Sequence, residues 1–146
     1  MYNGGKGTPQ DYAEAMKWLG KSADHGDARA QYNLGRIYSI GEGISQDLAE
    51  AARWFRKAAG QGHALSQYCL GLMYRMGGGI PQDYAESVKW FRKAADQGNV
   101  LAQWELGVIY YKGLGVIENY QDALKWIHKA AQGGHVKANE FLLKHR

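Results

Sequence analysis

The chain has 146 residues, 45% apolar and 12% aromatic, the composition of one folded domain rather than of a disordered segment. Its 18 Lys and Arg exceed 14 Asp and Glu to leave a net charge of +4 with no basic run, so neither nucleic acid nor a membrane surface is indicated as a partner. A lone cysteine, Cys69, excludes an internal disulfide framework, and no apolar stretch approaches the roughly 18 residues of a membrane span.

Trp18, Trp54, Trp90 and Trp126 recur every 36 residues, and Lys21, Lys57, Lys93 and Lys129 keep the same step. A fixed period of this length marks a repeat array, in which each unit buries its apolar face against the next. Residues 1–146 are therefore expected to form one all-α solenoid of about eight helices. It comprises a partial repeat 1–26, full repeats 27–62, 63–98 and 99–134, and a capping helix within 135–146. In the partial repeat, Met1 and Tyr2 align with Ile37 and Tyr38, the last turn of a helix. A second helix over about 11–25 is then exposed on one side. The opening Met1-Tyr2-Asn3-Gly4-Gly5 has no charged start with an apolar signal core, and the single cysteine fits a reducing compartment, so a cytoplasmic setting is expected.

Each full repeat holds two helical patterns, A and B. In 27–62, Ala28, Ala30, Leu34, Ile37 and Tyr38 share one face, which predicts helix A over 28–40. Gly41-Glu42-Gly43 stops it. Asp47 then caps helix B, with Glu50 three residues on in a capping-box-like arrangement, and Ala51, Trp54, Phe55, Ala58 and Ala59 form its buried stripe. The same grammar predicts helices over 64–76, 83–97, 100–112 and 119–133. The last helix, about 136–145, carries Lys137, Asn139, Glu140, Lys144 and His145, a polar cap. Gly35, Gly71 and Gly107 sit in mid-helix, where glycine costs up to about 1 kcal/mol. Close approach of a B helix explains them, with Ala58-Ala59, Ala94-Ala95 and Ala130-Ala131 as the expected counterparts. Leu143 takes this place in the terminal copy.

The run Ala30-Gln31-Tyr32-Asn33-Leu34-Gly35-x-x-Tyr38, the loop Gly41-x-Gly43 and the run Asp47-x-x-x-Ala51-x-x-Trp54-x-x-Lys57-Ala58-Ala59-x-x-Gly62 resemble the Sel1-like repeat family, relatives of the tetratricopeptide repeats. The resemblance covers essentially the whole chain. It implies antiparallel helix pairs stacked in a right-handed superhelix, and a non-enzymatic role as scaffold or adaptor. Some secreted relatives carry a disulfide in every repeat. With Cys69 alone this chain departs from that branch, and the penicillin-related activity once proposed there does not carry over.

Catalytic and cofactor chemistry finds little support. The loops Gly5-Lys6-Gly7, Gly41-Glu42-Gly43, Gly77-Gly78-Gly79 and Gly113-Leu114-Gly115 follow helices, not strands, and read as turns rather than phosphate cradles. His25, His63, His128, His135 and His145 form no pair with zinc-site spacing. Cys69 aligns with Asn33 and Glu105, so its slot accepts polar side chains and lies short of the deep core. Asp11/Glu14, Asp47/Glu50 and Asp83/Glu86 read as caps. No cofactor and no metal are expected.

The variable positions of the A helices carry the functional expectation. Away from the B helices, one repeat presents Arg29, Tyr32, Arg36 and Ser39, and the next Leu65, Tyr68, Leu72 and Arg75. The third presents Leu101, Trp104, Val108, Tyr111 and Lys112, and the last Lys137, Glu140 and Lys144. Across repeats Tyr32, Tyr68 and Trp104 make a ladder, flanked by Leu72 and Val108 and edged by Arg36, Arg75 and Lys112. Such a concave apolar groove with a basic edge suits a peptide or protein partner bearing aromatic and acidic residues. The aromatic at the Tyr32 position is also part of the repeat signature, so repeat packing is an equal explanation of the ladder. Leu72, Arg75, Val108 and Tyr111 lie outside the signature and discriminate better. Two alternatives stay open. One is self-assembly, as a homo-oligomer or within a longer array, through the exposed N-terminal edge; the other is an enzyme or small-ligand binder.

Overall fold

The computed structural model describes residues 9–146, in which eight helices alternate as B and A. The B helices are α1 (Pro9–Asp24), α3 (Leu48–Gly60), α5 (Tyr84–Asp96) and α7 (Tyr120–Gln132). The A helices are α2 (Ala28–Ile40), α4 (Ala64–Met76), α6 (Val100–Lys112) and α8 (Val136–Lys144). The helical turn expected at Met1-Tyr2 and the loop Gly5-Lys6-Gly7 lie outside the described residues. Each helix packs on its neighbours in sequence, α1 on α2, α2 on α3 and so on to α8. The result is a solenoid of antiparallel pairs with no single centre.

Short polar side chains start the helices and glycine ends the A helices. Asp27 and Asn99 cap α2 and α6 through side-chain oxygens that accept from Ala30 N–H and Ala102 N–H. His63 and His135 take the same place for α4 and α8, their Nδ1 atoms accepting from Ser66 N–H and Ala138 N–H at 3.3 Å. Gly41, Gly77 and Gly113 close α2, α4 and α6 at φ of 80°, 74° and 70°, where a side chain is strained. The capping box of α3 is only half formed. Asp47 accepts from Glu50 N–H, but its own N–H donates to Tyr38 O at 2.9 Å, and the Glu50 carboxylate turns to Arg53.

Between repeats the B-helix tryptophan reaches back one unit. Trp54 is buried with Ala23, Ala30 and Leu34, and Trp126 with Phe91, Ala94 and Ala95. Trp18, at the first edge, stays 61% exposed.

The mid-helix glycines do admit a close neighbour, but it is not the alanine pair. A Cβ on Gly35 would stand 2.6 Å from the ring of Phe55, one on Gly71 2.6 Å from Phe91, and one on Gly107 2.5 Å from Ile127 Cγ1. The large residue of the B helix drops into the notch its own A helix leaves. Ala59 and Ala95 serve the adjoining junction with their carbonyls, which accept from Gln67 Nε2 and Gln103 Nε2 at 3.2 Å.

Those glutamines belong to a buried polar chain. Gln31 Nε2 donates to Ala23 O at 3.0 Å in the repeat before, while its Oε1 accepts from Gln61 Nε2 at 2.8 Å. Gln67 accepts from Gln97 Nε2 at 2.9 Å, and Gln97 also donates to Gly62 O. One amide thus ties three helices, because its oxygen and its NH2 each find a partner. Apolar periodicity alone passes over these residues; their recurrence at positions 31, 67 and 103 is the signal.

Candidate partner-binding surface

Tyr32, Tyr68 and Trp104 occupy equivalent places on α2, α4 and α6, each half-buried. Each aromatic packs toward the following helices, not onto the next member of the ladder. The Tyr32 ring lies 5.9 Å from Phe55 and 5.1 Å from His63, and Tyr68 lies 5.9 Å from Phe91. Trp104 stacks on His135 at 5.2 Å and meets the edge of Phe141 at 6.4 Å. The inner edges of the three rings therefore belong to repeat packing and only the outer edges face solvent.

An open depression of about 370 Å³ connects two of them, lined by Tyr68, Leu101, Trp104, Glu105, His135, Val136 and Lys137. α4, α6 and α8 all contribute to it. Leu101 is 44% and Val136 69% exposed, so apolar surface is open to an incoming chain. Val136 and His135 were not among the expected residues. Their signal is positional, since they continue the columns of Ala28 and Asp27 into the last helix.

The remaining expected residues divide into two sets. Arg29, Arg36, Leu65 and Lys112 are exposed, and the Arg36 guanidinium lies 5.9 Å from the Tyr32 ring centre. Leu72 packs against the buried cluster of Phe91 and Leu106, and Val108 is half-buried. Tyr111 lies 5.2 Å from Phe141 and 5.9 Å from Tyr120, engaged by the last helix pair. Arg75 reaches across from α4 so that its Nη1 stands 3.4 Å from Glu105 Oε2, with its Nε buried and unpaired. Three of the residues outside the repeat signature are thus engaged within the chain.

Burial raises the Glu105 carboxyl above its ordinary range, an effect that Arg75 and Lys137 oppose. Burial likewise raises the Tyr32 and Tyr68 hydroxyls. Cys69, half-buried on α4, has its thiol pushed up to about 11 by burial, with Arg36 pulling the other way. A thiol so placed stays protonated at neutral pH and is a poor nucleophile. Among the described residues no group of three or more His, Cys, Asp or Glu is placed to hold a metal ion. No described helix is long and apolar enough to cross a membrane.

Stacked antiparallel helix pairs with a 36-residue period define a helical repeat protein of the tetratricopeptide-like class. The Sel1 repeat model matches residues 1–27, 28–63, 64–99 and 100–135, and the chain belongs to that family. A protective antigen of uropathogenic Escherichia coli strains, described as displaying an SLR fold, is similar at 45% identity over 85% of this chain, with a TM-score of 0.83. The match spans only 27% of that antigen. A Sel1 repeat protein from Oxalobacter formigenes is 40% identical over 89% of this chain and 98% of its own, with a TM-score of 0.81. Cysteine-rich protein B of Helicobacter pylori shares the fold at 20% identity and a TM-score of 0.70, over 94% of this chain and 99% of its own. No curated protein matches the chain.

Proposed function

We propose that the chain is a non-enzymatic scaffold that holds a peptide or protein partner along the concave face of its A helices. The observation that carries this reading is the depression between α4, α6 and α8, where Tyr68, Leu101, Trp104 and Val136 offer apolar surface beside Lys137. Exposed cations stand on A helices too, Arg29 and Arg36 on α2 and Lys112 at the end of α6. An apolar anchor flanked by acidic residues is the occupant this surface suits. Cytoplasmic placement belongs to the proposal and rests on the single cysteine.

The test is Leu101→Glu/Val136→Glu, two substitutions at exposed positions, matched to the wild type for helicity and melting. A partner captured from the source organism's lysate is purified and titrated against both proteins. Loss of at least ten-fold in affinity from the variant supports the A-helix surface. Equal affinity removes it.

A second reading, self-association, is favoured by one observation. Trp18 is 61% exposed, whereas its equivalents Trp54 and Trp126 are 6% and 3% exposed. Light scattering over a concentration series separates it from a monomeric scaffold, since only self-association raises the mass with concentration.

A further inference from the structure

We propose that the depression between α4, α6 and α8 selects a tyrosine side chain as the anchor of its partner, with the Glu105 carboxylate accepting from the phenol O–H. The inference rests on the A-helix surface proposed above and adds the residue that sets its specificity. Glu105 lines the depression together with Tyr68, Leu101, Trp104, Val136 and Lys137. Its side chain is only 14% exposed. Among the four equivalent positions, Asn33, Cys69, Glu105 and Phe141, Glu105 alone carries a charge.

The ordinary explanation of Glu105 is an ion pair that ties α6 to α4. Its geometry is poor for that purpose. Arg75 Nη1 stands 3.4 Å from Glu105 Oε2, against about 2.7–2.9 Å for a charge-assisted hydrogen bond. Arg75 Nε is buried with no partner, so the pair leaves both groups short. Among the described residues none donates a hydrogen bond to the Glu105 carboxylate, which has about four acceptor sites when ionised. Burial raises its carboxyl accordingly.

The surroundings of Glu105 decide which donor fits. Arg75 and Lys137 already act on its charge, so a lysine or arginine from a partner would enter against two cations. What the carboxylate lacks is a hydrogen bond, not a counter-charge. Tyr68, Leu101, Trp104 and Val136 offer apolar surface that a serine or threonine is too small to cover. An aromatic ring covers it, and the volume of about 370 Å³ exceeds the roughly 150 Å³ that admits benzene. An indole N–H only donates, whereas a phenol donates through its hydrogen and accepts through its oxygen. Tyrosine can therefore serve Glu105 and Lys137 together. Phenylalanine fills the same space but strips water from the carboxylate and returns nothing, the costlier error.

The test uses labelled synthetic peptides that differ at one side chain, Gly-Asp-Asp-Tyr-Asp-Asp-Gly and the same sequence with phenylalanine or lysine in the central place. Anisotropy titrations are expected to show the tyrosine peptide binding roughly ten-fold tighter than either other peptide. Glu105→Leu is expected to narrow the gap between tyrosine and phenylalanine to within about two-fold, chiefly by improving the phenylalanine peptide. Arg75→Met/Glu105→Leu removes the ion pair whole, strands no charge, and is expected to narrow the gap equally. Equal binding of tyrosine and phenylalanine peptides that Leu101→Glu/Val136→Glu still abolishes overturns the role of Glu105 and keeps the surface. Binding indifferent to Leu101→Glu/Val136→Glu overturns both. A gap that survives in both Glu105 variants, tighter binding of the lysine peptide, or no binding of the tyrosine peptide also overturns the inference.

Discussion

Gly71 lies beneath the ring of Phe91 with no space for another carbon, since a Cβ there would stand 2.6 Å from Cδ1. Replacing glycine by alanine within a helix normally stabilises by up to about 1 kcal/mol. Here the ring is fully buried, so overpacking at about 1–3 kcal/mol outweighs that gain. Gly71→Ala is expected to lower the urea midpoint, and Phe91→Leu in the same chain to recover part of the loss. Independent, additive losses would show that the two positions are not in contact.

Gln67 is 4% exposed and joined to Ala59 O and Gln97 Nε2. Gln67→Leu keeps the bulk and removes two hydrogen bonds, each worth about 0.5–1.5 kcal/mol, while Ala59 O keeps Gly62 N–H at 3.0 Å and Gln97 Nε2 keeps Gly62 O. A destabilisation of about 1–3 kcal/mol is expected, with hydrogen exchange accelerated at the junction of α3 and α4. Unchanged protection there would count against the glutamine chain as a tie between repeats.

His63 and His135 cap α4 and α8 as acceptors, which requires an unprotonated Nδ1. Burial lowers both below the ordinary value of 6.5, with Arg29 adding to the effect at His63 and Lys137 at His135. A group with a depressed folded pKa contributes its stability above the unfolded value. It loses that contribution as pH falls from 6.5 through the folded value. Denaturation at pH 7.5 and at pH 5 is expected to show a loss that His63→Asn/His135→Asn reduces, since Asn99 caps α6 without titrating. An equal loss in both proteins would assign the acid sensitivity elsewhere.

Trp54 and Trp18 occupy the same repeat position with opposite exposure. Trp54→Ala is expected to cost about 3–5 kcal/mol, and Trp18→Ala no more than about 0.5 kcal/mol, as at an exposed site. Chemical denaturation of the two variants decides this. A large loss at Trp18 would mean that something covers it in solution.

The A helices were legible almost to the residue, because a polar cap before each and a left-handed glycine after it leave little freedom at either end. The strict 36-residue register also carried the pairing of the helices. It carried less of the contacts between them. Periodicity says that Gly71 faces a B helix, but whether Phe91 or Ala94 meets it depends on the rotation of that helix about its axis. The candidate surface shows the same limit. Leu72 and Tyr111 sit at variable positions, yet Leu72 packs on the Phe91 cluster and Tyr111 on Phe141. His135 and Val136 lie outside the expected set because they precede or open the last helix, whose sequence reads as a polar cap and not as a wall of the surface.

The glutamine chain is not uniform along the molecule. Gln61 and Gln97 give way to Gly133 at the equivalent position, and Asn139 replaces the glutamine of the A helix, reaching Ala131 O at 3.3 Å. Gln103 therefore has no second amide of the kind that Gln61 and Gln97 give to Gln31 and Gln67, Asn139 follows it with a single amide, and α8 is the shortest helix described. Opening is cheapest where ties are fewest, so amide hydrogen exchange is expected to be fastest in α8 among the A helices. His135, Val136 and Lys137 form one wall of the depression there, so fraying of α8 would reshape that wall and leave the side formed by Tyr68 in place.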